Sequence, residues 1–168
     1  MLIVLSGLPG VGKTTISQIL VRKCGATYLR IDTIEQTIPA SLRTQNELST
    51  LGYVLAYEIA RVNLRLGGTV VADAVNPLAV TRESWRAVAA DSNSNIIEVE
   101  VVCSDIREHR RRVESRKADI SGHILPNWDD IHRYEYQPWS EHRIVIDSSK
   151  LSAIDAASKI FDYLGLRR

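Results

Sequence analysis

Short apolar runs alternate with longer segments of mixed polarity along this chain of 168 residues. A continuous apolar run of about four to eight residues is typical of a strand that is buried on both faces of a parallel sheet. The pattern predicts five such strands, which cover residues 2–5, 26–31, 69–72, 96–103 and 143–146.

The segments between these strands carry apolar residues at helical spacing. The clearest periodic signal has steps of three or four residues and runs through Leu48, Leu51, Leu55, Ile59, Val62 and Leu66. Gly67 and Gly68 follow it directly and predict the end of that helix. Further helices are predicted over 13–23, 77–90 and 151–164. This alternation predicts an α/β fold, a doubly wound sheet of five parallel strands flanked by helices.

Two segments depart from the alternation. Residues 105–119 form a strongly charged predicted helix, and residues 121–142 are irregular and rich in His, Trp and Tyr. We therefore expect a single domain over 1–168 with a helical lid over about 105–140.

The overall charge argues against a polyanionic partner. The chain has 21 basic and 20 acidic residues, a net charge of +1, so we do not expect it to bind nucleic acid. No apolar stretch approaches the ~18 residues of a membrane span, and the first twelve residues lack the basic start of a signal peptide. We expect a cytoplasmic protein without membrane contact, and the sequence leaves its oligomeric state open.

A glycine-rich loop joins the first predicted strand to the first helix. Residues 7–14, Gly-Leu-Pro-Gly-Val-Gly-Lys-Thr, match the pattern G-x-x-x-x-G-K-[ST] in full. Glycines allow backbone N–H groups to approach phosphate oxygens closely, and a helix N-terminus favours an anion. This context predicts a P-loop NTPase fold that binds ATP with Mg²⁺. The expected binding residues are Gly7, Gly10, Val11, Gly12, Lys13, Thr14 and Thr15.

Individual roles follow from the chemistry of phosphoryl transfer. Lys13 should reach the β- and γ-phosphates, and the Thr14 hydroxyl should bind Mg²⁺. Asp32 and Asp73 each close a predicted strand, where ligands of open α/β sheets bind. Asp73 is the expected second metal ligand, and Asp32 is the expected base for an attacking hydroxyl. The alternative for both carboxylates is that each caps the helix that follows it.

The charged helix at 105–119 carries five arginines, and Asp105 followed by Glu108 predicts its N-terminal cap. Arg112 and Arg116 lie four residues apart and are the candidates to stabilise charge on the transferred phosphoryl group. Because its apolar stripe is thin, we expect this helix to be exposed to solvent and mobile. The alternative is a solvated helix whose arginines pair with glutamates.

The aromatic segment offers flat rings with polar tips, which suit either a substrate surface or simple packing. We expect a small, uncharged or mildly polar hydroxyl compound to lie between the Asp32 side and residues 134–139. The alternative places the acceptor near Asn76 and Arg82.

Taken together, the loop at 7–14, Asp32, the run Val-Val-Ala-Asp at 70–73 and the arginine helix resemble the P-loop small-molecule kinases. That family includes the gluconate, shikimate, adenylyl-sulfate and chloramphenicol kinases and the polynucleotide 5′-kinase group. Residues 73–77 and Arg82 are similar to the polynucleotide-kinase-like subgroup, where the aspartate matching Asp32 is the general base. That subgroup has an arginine three residues later, and this chain has Glu35 there.

The resemblance implies a phosphotransferase that moves the γ-phosphate of ATP to a hydroxyl group of a small molecule. The alternatives are a polynucleotide 5′-hydroxyl kinase and a hydrolytic or regulatory P-loop ATPase. A guanine-specific switch is not expected, because the sequence has no N-K-x-D motif.

Overall fold

The computed structural model describes residues 1–39 and 45–165, and it describes residues 45–49 by their backbone alone. Five parallel strands form one sheet in the order β2-β3-β1-β4-β5. Their bounds are β1 Leu2–Ser6, β2 Thr27–Arg30, β3 Val70–Asp73, β4 Ile96–Val102 and β5 Ile144–Asp147. The predicted five-stranded parallel sheet is therefore confirmed.

Helices cover both faces of this sheet. Their bounds are α1 Lys13–Cys24, α2 Ile31–Thr37, α3 Gln45–Arg65, α4 Ala79–Asp91, α5 Ile106–Ser115, α6 Trp128–His132 and α7 Ala153–Tyr163. Helices α1 and α7 pack on one face, and α3 and α4 pack on the other. Within the ranges given above, no helix combines the length and the apolar character that crossing a bilayer requires.

The position of β1 in the centre of the sheet explains why its sequence is continuously apolar. Leu2 and Val4 face the α3 and α4 side, whereas Ile3 and Leu5 face the α1 and α7 side. All four side chains are at most 1% exposed. Because alternate residues of a strand point to opposite faces, a strand with two covered faces favours apolar side chains at consecutive positions.

Several boundaries differ from the sequence predictions. Strand β2 ends at Arg30, so Asp32 lies in the first turn of α2 rather than at the end of a strand. Helix α5 ends at Ser115, and Arg116 caps its C-terminus with a backbone hydrogen bond to the carbonyl oxygen of Arg112. The segment 121–142 contains the short helix α6, which begins with a capping box formed by Asn127 and Asp130. A capping box favours the start of a helix because its polar side chains bond to free backbone N–H groups. The aromatic residues around it hid this pattern in the sequence.

Helix α3 presents its strongest apolar stripe to solvent. Of the residues that predicted this helix, those from Leu51 onward are 39–81% exposed. The face that packs on the sheet instead carries Tyr53, Ala56, Ala60 and Leu64, all at most 9% exposed. Small alanines allow the helix to lie close to β2, β3 and α4. Leu48 also belongs to the spacing that predicted this helix, but its side chain lies outside the described part of the chain.

The face assignment of α3 predicts different outcomes for two substitutions by leucine, one on each side of the helix. Ala60→Leu places extra volume against the packed sheet and should lower the free energy of unfolding by about 1–3 kcal/mol. Val62→Leu points outward and should change that free energy by less than about 0.5 kcal/mol. Urea unfolding at low protein concentration measures both values. A neutral Ala60→Leu variant would show that the helix is rotated from the orientation described.

Candidate active site

The loop between β1 and α1 adopts a backbone that only glycine tolerates at its key positions. Gly7 has φ 139°, and a Cβ there would lie 2.2 Å from the carbonyl oxygen of Val101. Gly12 has φ 97° and precedes α1, whose N-terminus has no side-chain cap and no acidic residue in its first turn. The N–H groups at this helix start are therefore directed toward a cavity and suit an anion.

Lys13 is the first residue of α1 and is only 8% exposed. Its Nζ donates hydrogen bonds to the carbonyl oxygens of Gly7 at 2.7 Å and Leu8 at 3.0 Å. Burial lowers the pKa of Lys13, and the nearby carboxylates of Asp73 and Asp32 oppose that change. The ammonium group is thus held over the loop, at the place where a loop-bound phosphate would meet it.

Asp73 ends β3 and is 3% exposed. Its carboxylate accepts a hydrogen bond from the Tyr28 hydroxyl at 2.8 Å. Burial raises the pKa of Asp73, while Lys13 and hydrogen bonds from Thr14 and Tyr28 oppose that rise. Tyr28 lies on the neighbouring strand β2, and nothing in its local sequence indicated this contact.

The oxygens of Thr14 and Asp73 suit a hard cation such as Mg²⁺, which prefers oxygen ligands. Among residues 1–39 and 45–165, no group of three or more His, Cys, Asp or Glu side chains could hold a metal ion by itself. Magnesium usually binds proteins through one or two carboxylates together with substrate phosphates and water. The residues present therefore fit a metal that arrives with a nucleotide.

Two cavities meet beside Lys13. The first, which we call the loop cavity, has a volume of about 500 Å³ and lies over the glycine loop and Thr15. The second, which we call the side pocket, has a volume of about 350 Å³ and lies between the loop, α2 and residues 123–134. Residues that line both are Lys13, Thr14, Arg30, Arg116 and Leu125. If each cavity held one ligand, the two ligands would therefore be in contact at a point surrounded by three cationic side chains.

Two arginines stand at this junction. Arg116 lies directly after α5, with Nη2 3.4 Å from the carbonyl oxygen of Pro126. Arg30, the last residue of β2, donates to both carboxylate oxygens of Asp119 at 2.5 and 3.1 Å and lies 3.6 Å from Asp32. Sequence reasoning missed Arg30; its one signal was a basic residue at the end of an apolar strand, two positions before Asp32.

Arg112 occupies a different position from Arg116. It bonds to Glu108 at 2.7 Å, and to the Ser148 hydroxyl and carbonyl at 2.9 and 3.0 Å. It lines the loop cavity and a third cavity of about 250 Å³ beside it, but not the side pocket. Arg112 therefore closes the outer side of the loop cavity.

Helix α5 is docked on the loop through two buried side chains, while most of its other residues are exposed, as expected. Val113 and His109 are buried at 4% and 7% exposure. His109 Nε2 lies 2.9 Å from the carbonyl oxygen of Pro9; because a carbonyl only accepts, this nitrogen carries the proton. Burial is the main cause that lowers the pKa of His109, which favours the neutral ring. The apolar stripe of α5 looked thin in the sequence because the imidazole of His109 supplies part of the buried face.

Carboxylates and one phenol ring form the far wall of the side pocket, which is lined by Asp32, Glu35, Asp130 and Tyr134. The Asp32 side chain is 40% exposed. Burial, and next the charge of Asp32, raise the pKa of Glu35 to about 7. Glu35 packs against Gly52 of α3, where an added Cβ would lie 2.5 Å from the Glu35 Cγ. The glycine in α3 thus makes room for this carboxyl group.

The side chains of the aromatic segment lie at separate sites. Tyr134 lines the side pocket, whereas Tyr136 lines a cavity on the other side of the glycine loop. Trp139 stacks on the guanidinium groups of Arg82 and Arg143, with centroid distances of 4.5 and 5.4 Å. The expectation of one acceptor surface over 134–139 is therefore wrong beyond Tyr134.

Asn76 and Arg82 are buried parts of the framework. Asn76 is fully buried and bonds to Tyr53, Ser6 and Trp85. Arg82 is 1% exposed and donates to the carbonyl oxygens of Gln137 and Pro138. These contacts fix the turn after β3 and anchor residues 137–139, and they leave neither side chain directed toward a ligand. The alternative that placed the acceptor near Asn76 and Arg82 is wrong.

A family model described as "AAA domain" matches residues 2–132. Among solved structures, the APS kinase CysC of Mycobacterium tuberculosis in complex with AMPPNP and APS has a TM-score of 0.72 at 20% identity, with 98% of this chain and 96% of that chain covered. A gluconokinase of Sinorhizobium meliloti 1021 has a TM-score of 0.65 at 16% identity, with 97% and 94% covered.

Kti12 of Chaetomium thermophilum in complex with ADP-AlF3 has a TM-score of 0.69 at 22% identity, with 96% of this chain and 98% of that chain covered. No curated protein matches the chain significantly. These similarities show the P-loop NTPase fold that the sequence predicts.

The raised pKa of Glu35 predicts a pH-dependent stability. The folded protein holds this proton up to about pH 7, above the ordinary value of 4.5, so it binds the proton more tightly than the unfolded chain does. The free energy of unfolding should therefore fall as pH rises from about 4.5 to about 7, and Glu35→Gln should remove that part of the slope. Urea unfolding at about pH 5 and pH 8 measures it, with the exposed Glu114→Gln as control. Equal pH dependence in wild type and Glu35→Gln would contradict the buried position.

Proposed function

The chain belongs to the AAA domain family, and from that premise we propose that it is a kinase that transfers the γ-phosphate of ATP to a hydroxyl group of a small molecule. The observation that carries this proposal is the junction of the loop cavity and the side pocket at Lys13, Thr14, Arg30 and Arg116. A P-loop ATPase needs one cavity for its nucleotide, whereas a kinase needs a second one that opens on the transferred phosphate.

In the proposed complex, ATP occupies the loop cavity. The N–H groups of the glycine loop and of the α1 start bind its phosphates, and Lys13 turns from the loop carbonyls toward the β- and γ-phosphate oxygens. Thr14 and Asp73 are the residues that would hold Mg²⁺, which offsets phosphate charge when bound. Arg112, held by Ser148 through two hydrogen bonds, closes the outer side of the cavity and contacts the nucleotide rather than the transferred group.

Asp32 is the proposed general base. Its carboxylate lines the side pocket together with Lys13 and Thr14, so an acceptor hydroxyl there can lie near both the base and the γ-phosphate. The hydroxyl oxygen forms a bond to phosphorus, its proton passes to Asp32, and the bond from phosphorus to the β–γ bridging oxygen breaks to release ADP. Charge that develops on the transferred group is stabilised by Arg30 and Arg116, which flank the junction.

The side pocket favours an acceptor without negative charge. Glu35 and Asp130 face the space beyond Asp32, and the carboxylates would repel a phosphate or sulfate on the acceptor. Glu35 can donate or accept a hydrogen bond near neutral pH, since its pKa is about 7. A small polyhydroxy compound that packs against the Tyr134 ring fits this wall. A polynucleotide fits poorly, because it needs a continuous cationic track.

An acceptor screen tests this function. ADP formation from ATP and Mg²⁺ is measured across a library of small hydroxyl compounds and a 5′-hydroxyl oligonucleotide. We expect uncharged hydroxyl compounds to stimulate ADP formation, and Lys13→Ala to lower the stimulated rate by at least about 100-fold without unfolding the protein. Stimulation by the oligonucleotide alone, lost as salt increases, would instead identify a polynucleotide kinase.

Substitutions of Asp32 and Asp73 should change the kinetics in different ways. Asp32→Asn should lower kcat by about 100-fold or more with little change in ATP affinity, because a general base acts in the chemical step. Asp73→Asn should raise the Mg²⁺ concentration needed for half-maximal activity. Asp129→Asn, which removes the same charge from an exposed position on α6, serves as control. If Asp32→Asn weakened ATP binding alone, the proposed base would be wrong.

A further inference from the structure

An exposed apolar surface runs along α3, on the side of the helix away from the sheet. We call it the α3 stripe, and it consists of Leu51, Val54, Leu55, Ile59, Val62 and Leu66, which are 39%, 47%, 40%, 42%, 59% and 81% exposed. At a rise of 1.5 Å per residue, it extends over about 22 Å. The active site uses none of these six side chains, and the core does not need them, since α3 packs on the sheet through its opposite face.

The spacing of the α3 stripe is that of a contact between two helices. From Leu51 the steps to Leu55, Ile59, Val62 and Leu66 are four, four, three and four residues, so these side chains form one continuous face of the helix at its 3.6-residue period. A single helix that packs on a sheet through alanines has no reason to keep such a face on its outer side. A partner helix with the same spacing does account for it.

Two charged side chains beside the α3 stripe, Glu58 and Arg61, have partners within the chain. Glu58 forms an ion pair with Arg61, and Arg61 also lies 3.5 Å from Asp91. A partner surface therefore does not have to supply opposite charges, and an apolar copy of the same surface is complementary. The net charge of +1 over the whole chain means that two copies repel each other only weakly.

The size of the α3 stripe fits a small dimer interface. A fully buried aliphatic side chain removes on the order of 100 Å² of apolar surface from water, so six partly exposed side chains supply about 300 Å² per copy. Because interfaces are about 60% apolar, the complete contact would bury about 500 Å² per copy. This total of about 1,000 Å² is at the lower limit of specific interfaces.

We propose that the α3 stripe is a homodimer interface, in which α3 of one copy packs against α3 of a second copy about a two-fold axis near Ile59. Such a contact is isologous: each copy contributes the same surface. Its modest area gives a dissociation constant in the micromolar range. The same helix also carries Gly52, which packs against Glu35, so the dimer would brace the wall behind the side pocket.

Sedimentation equilibrium of the full chain from about 1 to 300 μM tests the proposal. Wild type should shift from monomer to dimer, and Ile59→Glu should remain monomeric over the whole range, a loss in affinity of at least about tenfold. The matched control is Ile154→Glu on α7, which is 66% exposed on the opposite face of the sheet and should dimerise as wild type does. Circular dichroism checks that each variant is folded.

A cysteine at the proposed axis provides a second measurement. Ile59→Cys should form a covalent dimer under mild oxidation, because packing of the α3 helices holds the two sulfur atoms within bonding distance. This disulfide should form faster than that of the exposed Ile154→Cys, whose thiols meet only by collision. Wild type, with its own Cys24 and Cys103, controls for disulfides at other positions. A chain that is monomeric at 300 μM, or a dimer that Ile59→Glu leaves intact, would overturn the proposal, as would the absence of the Ile59→Cys disulfide.

Discussion

The close packing of the glycine loop between β4 and α5 is the constraint on which the rest of the site depends. A Cβ at Gly7 would meet the Val101 carbonyl, and one at Gly10 would lie 2.6 Å from Val113. On the outer side, His109 bonds to the Pro9 carbonyl. The loop is thus clamped from two directions, so Lys13 and the first turn of α1 have fixed positions relative to Asp73.

Sequence predicted the parts of this arrangement that depend on local chemistry. The buried strands, the loop at 7–14 and the position of Asp73 follow from short-range patterns, because a strand with two covered faces and a loop around phosphate tolerate few residue types. Contacts between distant segments left no local pattern. Arg30 with Asp119, Tyr28 with Asp73 and His109 with Pro9 each join positions more than 40 residues apart.

Helix α3 shows a different limit of sequence reasoning. Periodicity predicted the helix, because the pattern repeats at 3.6 residues whichever way the apolar side points. It does not reveal the direction, and here Tyr53, two alanines and Leu64 face the core, while the six side chains of the α3 stripe face out. Apolar residues in excess of what the core requires indicate a contact outside the chain. The aromatic segment illustrates the converse, since Trp139 packs on arginines and Tyr136 lines another cavity, whereas His123 and Tyr134 line the side pocket.

The central claim is that the two cavities at Lys13 serve transfer to an acceptor and not hydrolysis. The fate of the γ-phosphate tests it most directly, with γ-labelled ATP incubated with the protein, Mg²⁺ and pooled small hydroxyl compounds. A kinase should transfer most of the label from ATP to an organic phosphate ester, and omitting the pool should stop most ATP turnover. Label found only in inorganic phosphate, at a rate that the pool does not change, would rule out the kinase and identify the protein as an ATPase.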